Sequence, residues 1–119
     1  MSTVVEIEVN IRVDGVPLDG FPLIRRMTPA ETGQRRYVKP DGDGATYVQA
    51  SQLATDNLAI VWTDSPIGVG LNNKGPIPLN AGGFIIVCDA AIVAGASTNI
   101  TVNNAGSQSA NILLVEGGP

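Results

Sequence analysis

The chain has 119 residues, of which 44% are hydrophobic and 15% are charged, with a net charge of −4, no His and one Cys. This composition predicts one folded domain with its own core rather than a disordered chain. It excludes Ser-His-Asp and Cys-His catalysis, a Cys/His zinc site and an internal disulfide, and the acidic balance argues against a nucleic-acid binder.

Residues 4 to 13 show the clearest strand pattern. Apolar side chains alternate there with polar ones, as in a strand with one buried face: Val5, Ile7, Val9, Ile11 and Val13. Asp14-Gly15 then favours a hairpin turn, and Phe21 to Met27 predict a short edge strand beside Pro22. We expect the N-terminal strand (1–13) to lie either in the domain's own sheet or along a neighbouring subunit's sheet edge, with Val5, Ile7, Val9 and Ile11 as partner-binding residues.

Residues 28 to 46 are polar and predict an irregular charged loop, with one helical turn at Thr28 to Thr32. Asp41-Gly42-Asp43-Gly44 has the start of a calcium-loop pattern, but the later ligand positions are Ala45 and Gln52, so we interpret it as a turn. Five of the seven basic residues fall within fifteen positions: Arg25, Arg26, Arg35, Arg36 and Lys39. This cluster is either a solvated loop face or a set of contacts to an acidic partner.

Residues 46 to 117 predict a low-charge β-sheet core. Turn signals separate short apolar runs, and the predicted strands are Thr46–Gln49, Leu58–Thr63, Ile67–Leu71, Gly83–Cys88, Asn99–Asn103 and Ala110–Glu116. Two continuously apolar runs, Ile85–Val87 and Ile112–Val115, predict central strands covered on both faces. We therefore expect an all-β fold: residues 1–119 form a single antiparallel β-sandwich or jelly-roll-like barrel.

Charge is distributed unevenly along the chain. Residues 1 to 43 hold thirteen of the eighteen charged side chains, and only Asp56, Asp64, Lys74, Asp89 and Glu116 follow. An exposed β-layer usually carries charge on its outer faces, whereas interface centres are depleted of it. The depletion favours a chain that assembles with copies of itself or with partners over a low-charge monomer.

Few residues in the sequence are candidates for chemistry. Trp62 is interpreted as a core or interface anchor, with sugar stacking beside Tyr47 as the alternative. Cys88 is interpreted as a small buried hydrophobe. The conceivable carboxylate pairs, Asp41 with Asp43 and Asp56 with Asp64, lie in turn-like segments that we expect to be wet, so we predict neither an enzyme nor a metal or cofactor site.

The stretch WTDSPIGVGLNNKGPIPLNAGGFIIVCDAAI and the later NITVNNAGSQSANILLVEGG are similar in style to small all-β bacteriophage virion proteins. These include capsid decoration (cement) proteins and the β-domains of head or tail spikes. The resemblance spans residues 58 to 117. It implies a β-sandwich or jelly-roll-like fold, trimers around a threefold axis, and no chemistry.

The expected function is therefore that of a structural virion protein, a decoration (cement) protein that bridges capsid subunits. The alternatives are a carbohydrate- or receptor-binding β-module and a spike or head-fibre base. The expected partners are further copies of the chain, with a trimer favoured, and the major capsid protein or other virion subunits, with neither nucleic acid nor membrane. We expect location on the capsid surface after synthesis in the host cytoplasm, because Met1-Ser2-Thr3 leads directly into a strand pattern without a secretory leader.

Overall fold

The computed structural model describes residues 3–39, 43–49, 53, 55–92, 99–104 and 106–118, and the side chains of Arg35, Tyr37 and residues 43–49 lie outside this description. The secondary structure of the described residues is entirely β. Its twelve strands are β1 (Val5–Val9), β2 (Arg12–Val13), β3 (Val16–Pro17), β4 (Leu23–Met27), β5 (Glu31–Lys39), β6 (Asp43–Gln49), β7 (Asp56–Thr63), β8 (Ile67–Leu71), β9 (Lys74–Leu79), β10 (Phe84–Ile92), β11 (Ile100–Asn104) and β12 (Ala110–Gly118). They fall into two compact units, Met1–Ala30 and Glu31–Pro119.

The first unit consists of two antiparallel strand pairs. β1 pairs with β4, with Val5 opposite Met27 and Ile7 opposite Arg25. β2 and β3 form a short hairpin, and the predicted turn is confirmed by the positive φ angles of Asp14 and Gly15. The prediction of one strand from residue 4 to 13 is wrong beyond Val9, because only residues 5–9 pair with β4.

The second unit is a β-sandwich of two four-stranded antiparallel sheets. Sheet I has the order β10-β7-β12-β5, and sheet II has the order β6-β11-β8-β9. The core between them is apolar, and its buried members are Ala59, Val61, Ile67, Val69, Ile92, Ile100, Val102, Ala110, Ile112 and Leu114. The described strands do not close into a barrel, so the sandwich prediction is confirmed and its barrel variant is not.

The predicted irregular loop at residues 28–46 is wrong for residues 31–39 and 43–46, which lie in strands, and residues 40–42 of it lie outside the described residues. Residues 31–39 form β5, which pairs with β12 along its whole length from Glu31 opposite Gly118 to Lys39 opposite Ala110. No helical turn is present at Thr28–Thr32, because β5 begins at Glu31. β5 is the edge strand of sheet I, and an edge strand tolerates the polar residues that made this segment read as a loop.

Two further differences concern strand position. β9 begins at Lys74, in a segment for which no strand is predicted, and it follows a tight turn at Asn72 and Asn73, both with positive φ. β10 is an edge strand of sheet I rather than a central one, whereas β12 is central as expected, between β7 and β5.

Candidate functional site

The outward side of sheet I is apolar, and strand alternation explains why. Val61 and Leu114 are fully buried in the core, so their neighbours Trp62 and Leu113 lie on the opposite face of the sheet. The backbone register aligns four of these outward residues in one row across all four strands: Phe84, Trp62, Leu113 and Arg36. A second row consists of Ile86, Ile60, Val115 and Gln34.

We call this surface the outer apolar face; its members are Gln34, Arg36, Val38, Ile60, Trp62, Phe84, Ile86, Leu113 and Val115. Phe84 is 63% exposed, Val38 59% and Ile86 40%, while Trp62 and Leu113 are half-buried within the sheet. Arg36 is its one charged member. A soluble antiparallel sheet usually carries polar residues on its outer side, and a contiguous apolar patch of this kind marks an interaction surface.

One end of the face holds a shallow depression of about 320 Å³, lined by Arg36, Val38, Trp62, Asn111 and Ile112. Asp64 binds Asn111 there: its Oδ1 accepts the Asn111 backbone N–H at 2.7 Å, and its Oδ2 accepts the side-chain amide. The side-chain bond, followed by the backbone bond, lowers the pKa of Asp64. The two residues join the end of β7 to the start of β12 and border the face with fixed polar groups.

The charge depletion seen in the sequence is stronger at the surface than along the chain. Of the five charged residues after position 43, Asp56 and Glu116 are buried. Asp64, Lys74 and Asp89 are exposed. The sandwich therefore presents few charges to solvent over its last 76 residues, which is the pattern expected of assembling surfaces.

The first unit holds six of the predicted partner-binding residues. Ile7 is buried, Val5 and Val9 are half-buried, and Ile11 is exposed beyond the end of β1. Arg26 forms an exposed ion pair with Glu6, at 2.6 Å between Nε and Oε2, and Arg25 lies opposite Ile7 on the other strand. Of these four apolar side chains, only Ile11 is therefore exposed to a partner.

The second unit holds the remaining four, and they do not form one basic surface. Arg36 is exposed on the outer apolar face, whereas Lys39 is only 2% exposed. Arg35 lies in β5, and its side chain is outside the description. Trp62 lies in the first row, between Phe84 and Leu113.

The predicted carboxylate pairs are not formed by the described residues. Asp56 and Asp64 lie at opposite ends of β7, about 26 Å apart at the usual strand rise. The expectation that Asp56 is wet is wrong: it is fully buried, and its Oδ2 accepts an amide hydrogen from Asn99 at 2.9 Å. Asp41 lies outside the described residues, as does the side chain of Asp43.

The sequence-based list of partner-binding residues contains Trp62 and Arg36, which lie on this face, but not Phe84, Ile86, Leu113 or Val115. The signal was present in the apolar runs, which predict strands covered on both faces. In the structure the second sheet covers only the inner face of these strands. In the part of the chain that the structure describes, the outer side chains Ile86, Leu113 and Val115 are exposed or half-buried, so the prediction is met on the inner face only.

Comparison of the chain with protein-family models, with curated proteins and with solved structures finds no match for it. Within the described ranges, no three Cys, Asp or Glu side chains are grouped as ligands for one metal ion. The same ranges hold no helix of the length and hydrophobicity that crossing a bilayer requires.

Proposed function

We propose that the chain is a structural virion protein, a capsid decoration (cement) protein that self-associates and binds the shell across subunit boundaries. The observation that carries the proposal is the outer apolar face, an uncovered apolar sheet surface with Arg36 as its one charged member. The resemblance of residues 58–117 to phage virion proteins supports the choice of assembly. A cement protein acts by binding through a flat surface, and the outer apolar face is a surface of this kind.

The physical role of such a protein is to add binding free energy to the shell. Phe84 is 63% exposed in the isolated chain, so burying its side chain against a neighbour gives about 1–2 kcal/mol. Several side chains buried together in each of many copies raise the barrier to disassembly of the whole particle. The sparse surface charge keeps the penalty for desolvating ionic groups small.

The proposal is tested on particles from the source of the sequence. We expect mass spectrometry of gradient-purified particles to detect the chain, and particles stripped of it to disassemble at a lower temperature. Adding the purified chain back restores their stability. Detection of the chain only in the soluble fraction contradicts the proposal.

A matched pair of variants locates the binding surface. Phe84→Asp puts a charge on the outer apolar face, and we expect it to weaken self-association, and with it particle binding, at least tenfold while the domain remains folded. Ser107→Asp adds the same charge at an exposed loop position outside this face and leaves binding unchanged. Equal binding by both variants contradicts the assignment of the face.

A carbohydrate-binding β-module is the second candidate, favoured by the depression where Trp62 lies beside Arg36 and Asn111. An aromatic ring with neighbouring polar groups is a common sugar platform. A glycan array with Trp62→Ala as control separates the two functions. Binding that is lost with Trp62 supports the module, and a silent array supports assembly.

A further inference from the structure

We propose that the outer apolar face of sheet I packs against the same face of a second copy of this chain, around a twofold axis that runs parallel to the strands. This inference rests on the proposed function, because it names the partner of the same surface. It adds a symmetry and a specific contact, in which Arg36 of each copy lies over Phe84 of the other.

The order of the residues in the first row across sheet I determines which side chains of the two copies are in contact. Phe84 lies on the edge strand β10, Arg36 lies on the opposite edge strand β5, and Trp62 and Leu113 lie between them. A twofold axis parallel to the strands places the β10 edge of one copy over the β5 edge of the other and keeps the row at the same height. Arg36 then faces Phe84 at both edges, and Trp62 faces Leu113 in the centre.

The charge of Arg36 selects this axis over the other face-to-face arrangement. An axis perpendicular to the strands places β5 over β5, which brings two like-charged Arg36 side chains to the same edge. The parallel axis instead places each guanidinium over the exposed ring of Phe84, where a cation–π contact stabilises it. Packed sheets commonly differ by about 30° in strand direction, and the long Arg side chain spans the resulting offset.

The size of the face predicts the strength of the contact. Four strands about 4.8 Å apart and about seven residues long form a flat area of about 440 Å² per copy. A standard stable interface buries about 800 Å² per partner, so this contact is at the weak end of specific interfaces. We expect a dimer that dissociates on dilution through the micromolar range.

Cross-linking tests the geometry. In a Cys88→Ser background, which removes the free thiol, chains carrying Arg36→Cys are mixed with chains carrying Phe84→Cys and treated with a short bismaleimide. We expect covalent dimers from the mixture and none from either variant alone. Lys74→Cys, on sheet II, is the control and does not cross-link with either variant. Self-cross-linking of either face variant, or no mixed product, overturns the proposed axis.

Sedimentation equilibrium tests the energetics. We expect Arg36→Ala and Phe84→Ala each to weaken the dimer about tenfold, and the double variant to weaken it by less than the product of the two. The thermal midpoint of the diluted monomer should stay constant, because both side chains are exposed. A dimer that responds to Phe84→Ala but not to Arg36→Ala overturns the pairing.

Oligomeric state separates this inference from the proposed function. A trimer, or a chain that stays monomeric at high concentration, overturns the twofold contact. If that chain still binds particles and Phe84→Asp abolishes the binding, the decoration function stands with another occupant on the face. A twofold dimer that is absent from particles has the opposite meaning: the inference holds and the proposed function fails.

Discussion

The outer sides of the two sheets of the sandwich differ in the side chains that cover them. On sheet II, Thr101 and Asn103 lie opposite Gly70 and Gly68 and are themselves buried. A Cβ added at Gly68 would lie 2.9 Å from the Cβ of Pro76, and one at Gly70 would lie 3.0 Å from the carbonyl oxygen of Lys74. The two glycines therefore leave room for Thr101, Asn103 and residues of β9 to pack over this side of the sheet.

Sheet I is not covered in this way along the rows of Phe84 and Ile86, although Leu58, one row further along, is fully buried. The corresponding positions hold large side chains that point away from the core, and Phe84 and Ile86 are the exposed large apolar side chains of β10. Sheet II also protects its edge, because β9 carries Pro76 and Pro78, which cannot donate ladder hydrogen bonds. The difference is that the described part of sheet II covers its outer side with its own polar side chains, whereas the outer apolar face of sheet I leaves Phe84 and Ile86 exposed.

The largest expected effect separates the two sides of sheet I at neighbouring positions of β12. Leu114→Ala removes a fully buried core side chain and should lower the free energy of unfolding by about 2–5 kcal/mol. Leu113→Ala, on the outer apolar face, should lower it by about 1 kcal/mol or less and weaken self-association instead. Urea denaturation of the diluted protein measures both. A loss of several kcal/mol for Leu113→Ala would show that the outer face is covered within the chain.

A smaller effect is expected on the self-covered face. Gly68→Ala forces a methyl group against Asn103 and Pro76, and overpacking of this kind costs about 1–3 kcal/mol. Gly33→Ala on β5 is the matched control, since its added Cβ would meet Glu116 at an ordinary 3.4 Å. Thermal unfolding should rank Gly68→Ala well below Gly33→Ala. Equal midpoints would mean that Asn103 moves aside freely and does not form a fixed cover.

Strand positions could be predicted where local signals mark both ends. Ile67–Leu71 has the predicted bounds, because Pro66 precedes it and the Asn72-Asn73 turn follows it. β5 could not be predicted in this way. Its residues are polar, and it is a strand because β12 supplies hydrogen-bond partners from eighty residues further along the chain, which no local pattern reveals.

The apolar character of the candidate site could be predicted from the sequence, but the residues that share its surface could not. The apolar run from Leu58 to Trp62 indicates burial on both sides of a strand, and the structure fully buries Leu58 on the outer side but leaves Ile60 and Trp62 there half-buried. Which neighbouring strands share that exposed side depends on the sheet order, so Phe84 and Leu113 join Trp62 only through pairings distant in sequence. Proximity in sequence does not determine exposure within the basic cluster either, because Lys39 is buried while Arg36 is exposed.

The smallest expected effect concerns the polar border of the outer apolar face. Hydrogen bonds from Asn111 lower the pKa of Asp64 below its ordinary value of 3.8. A carboxylate with a lowered folded-state pKa stabilises the fold above its unfolded pKa, and this contribution disappears as the pH falls through the folded pKa. The link between β7 and β12 should therefore weaken only below about pH 4.

Asn111→Ala removes the side-chain donor and keeps the backbone N–H. We expect the pKa of Asp64, followed by carboxyl NMR, to move back towards 3.8, and the acid-dependent part of the stability to shrink. Because Asp64 is exposed, the change in stability at pH 7 should be small. An unchanged pKa would show that the backbone bond alone holds the carboxylate, and the border of the face would then depend on the register of β12 rather than on its side chains.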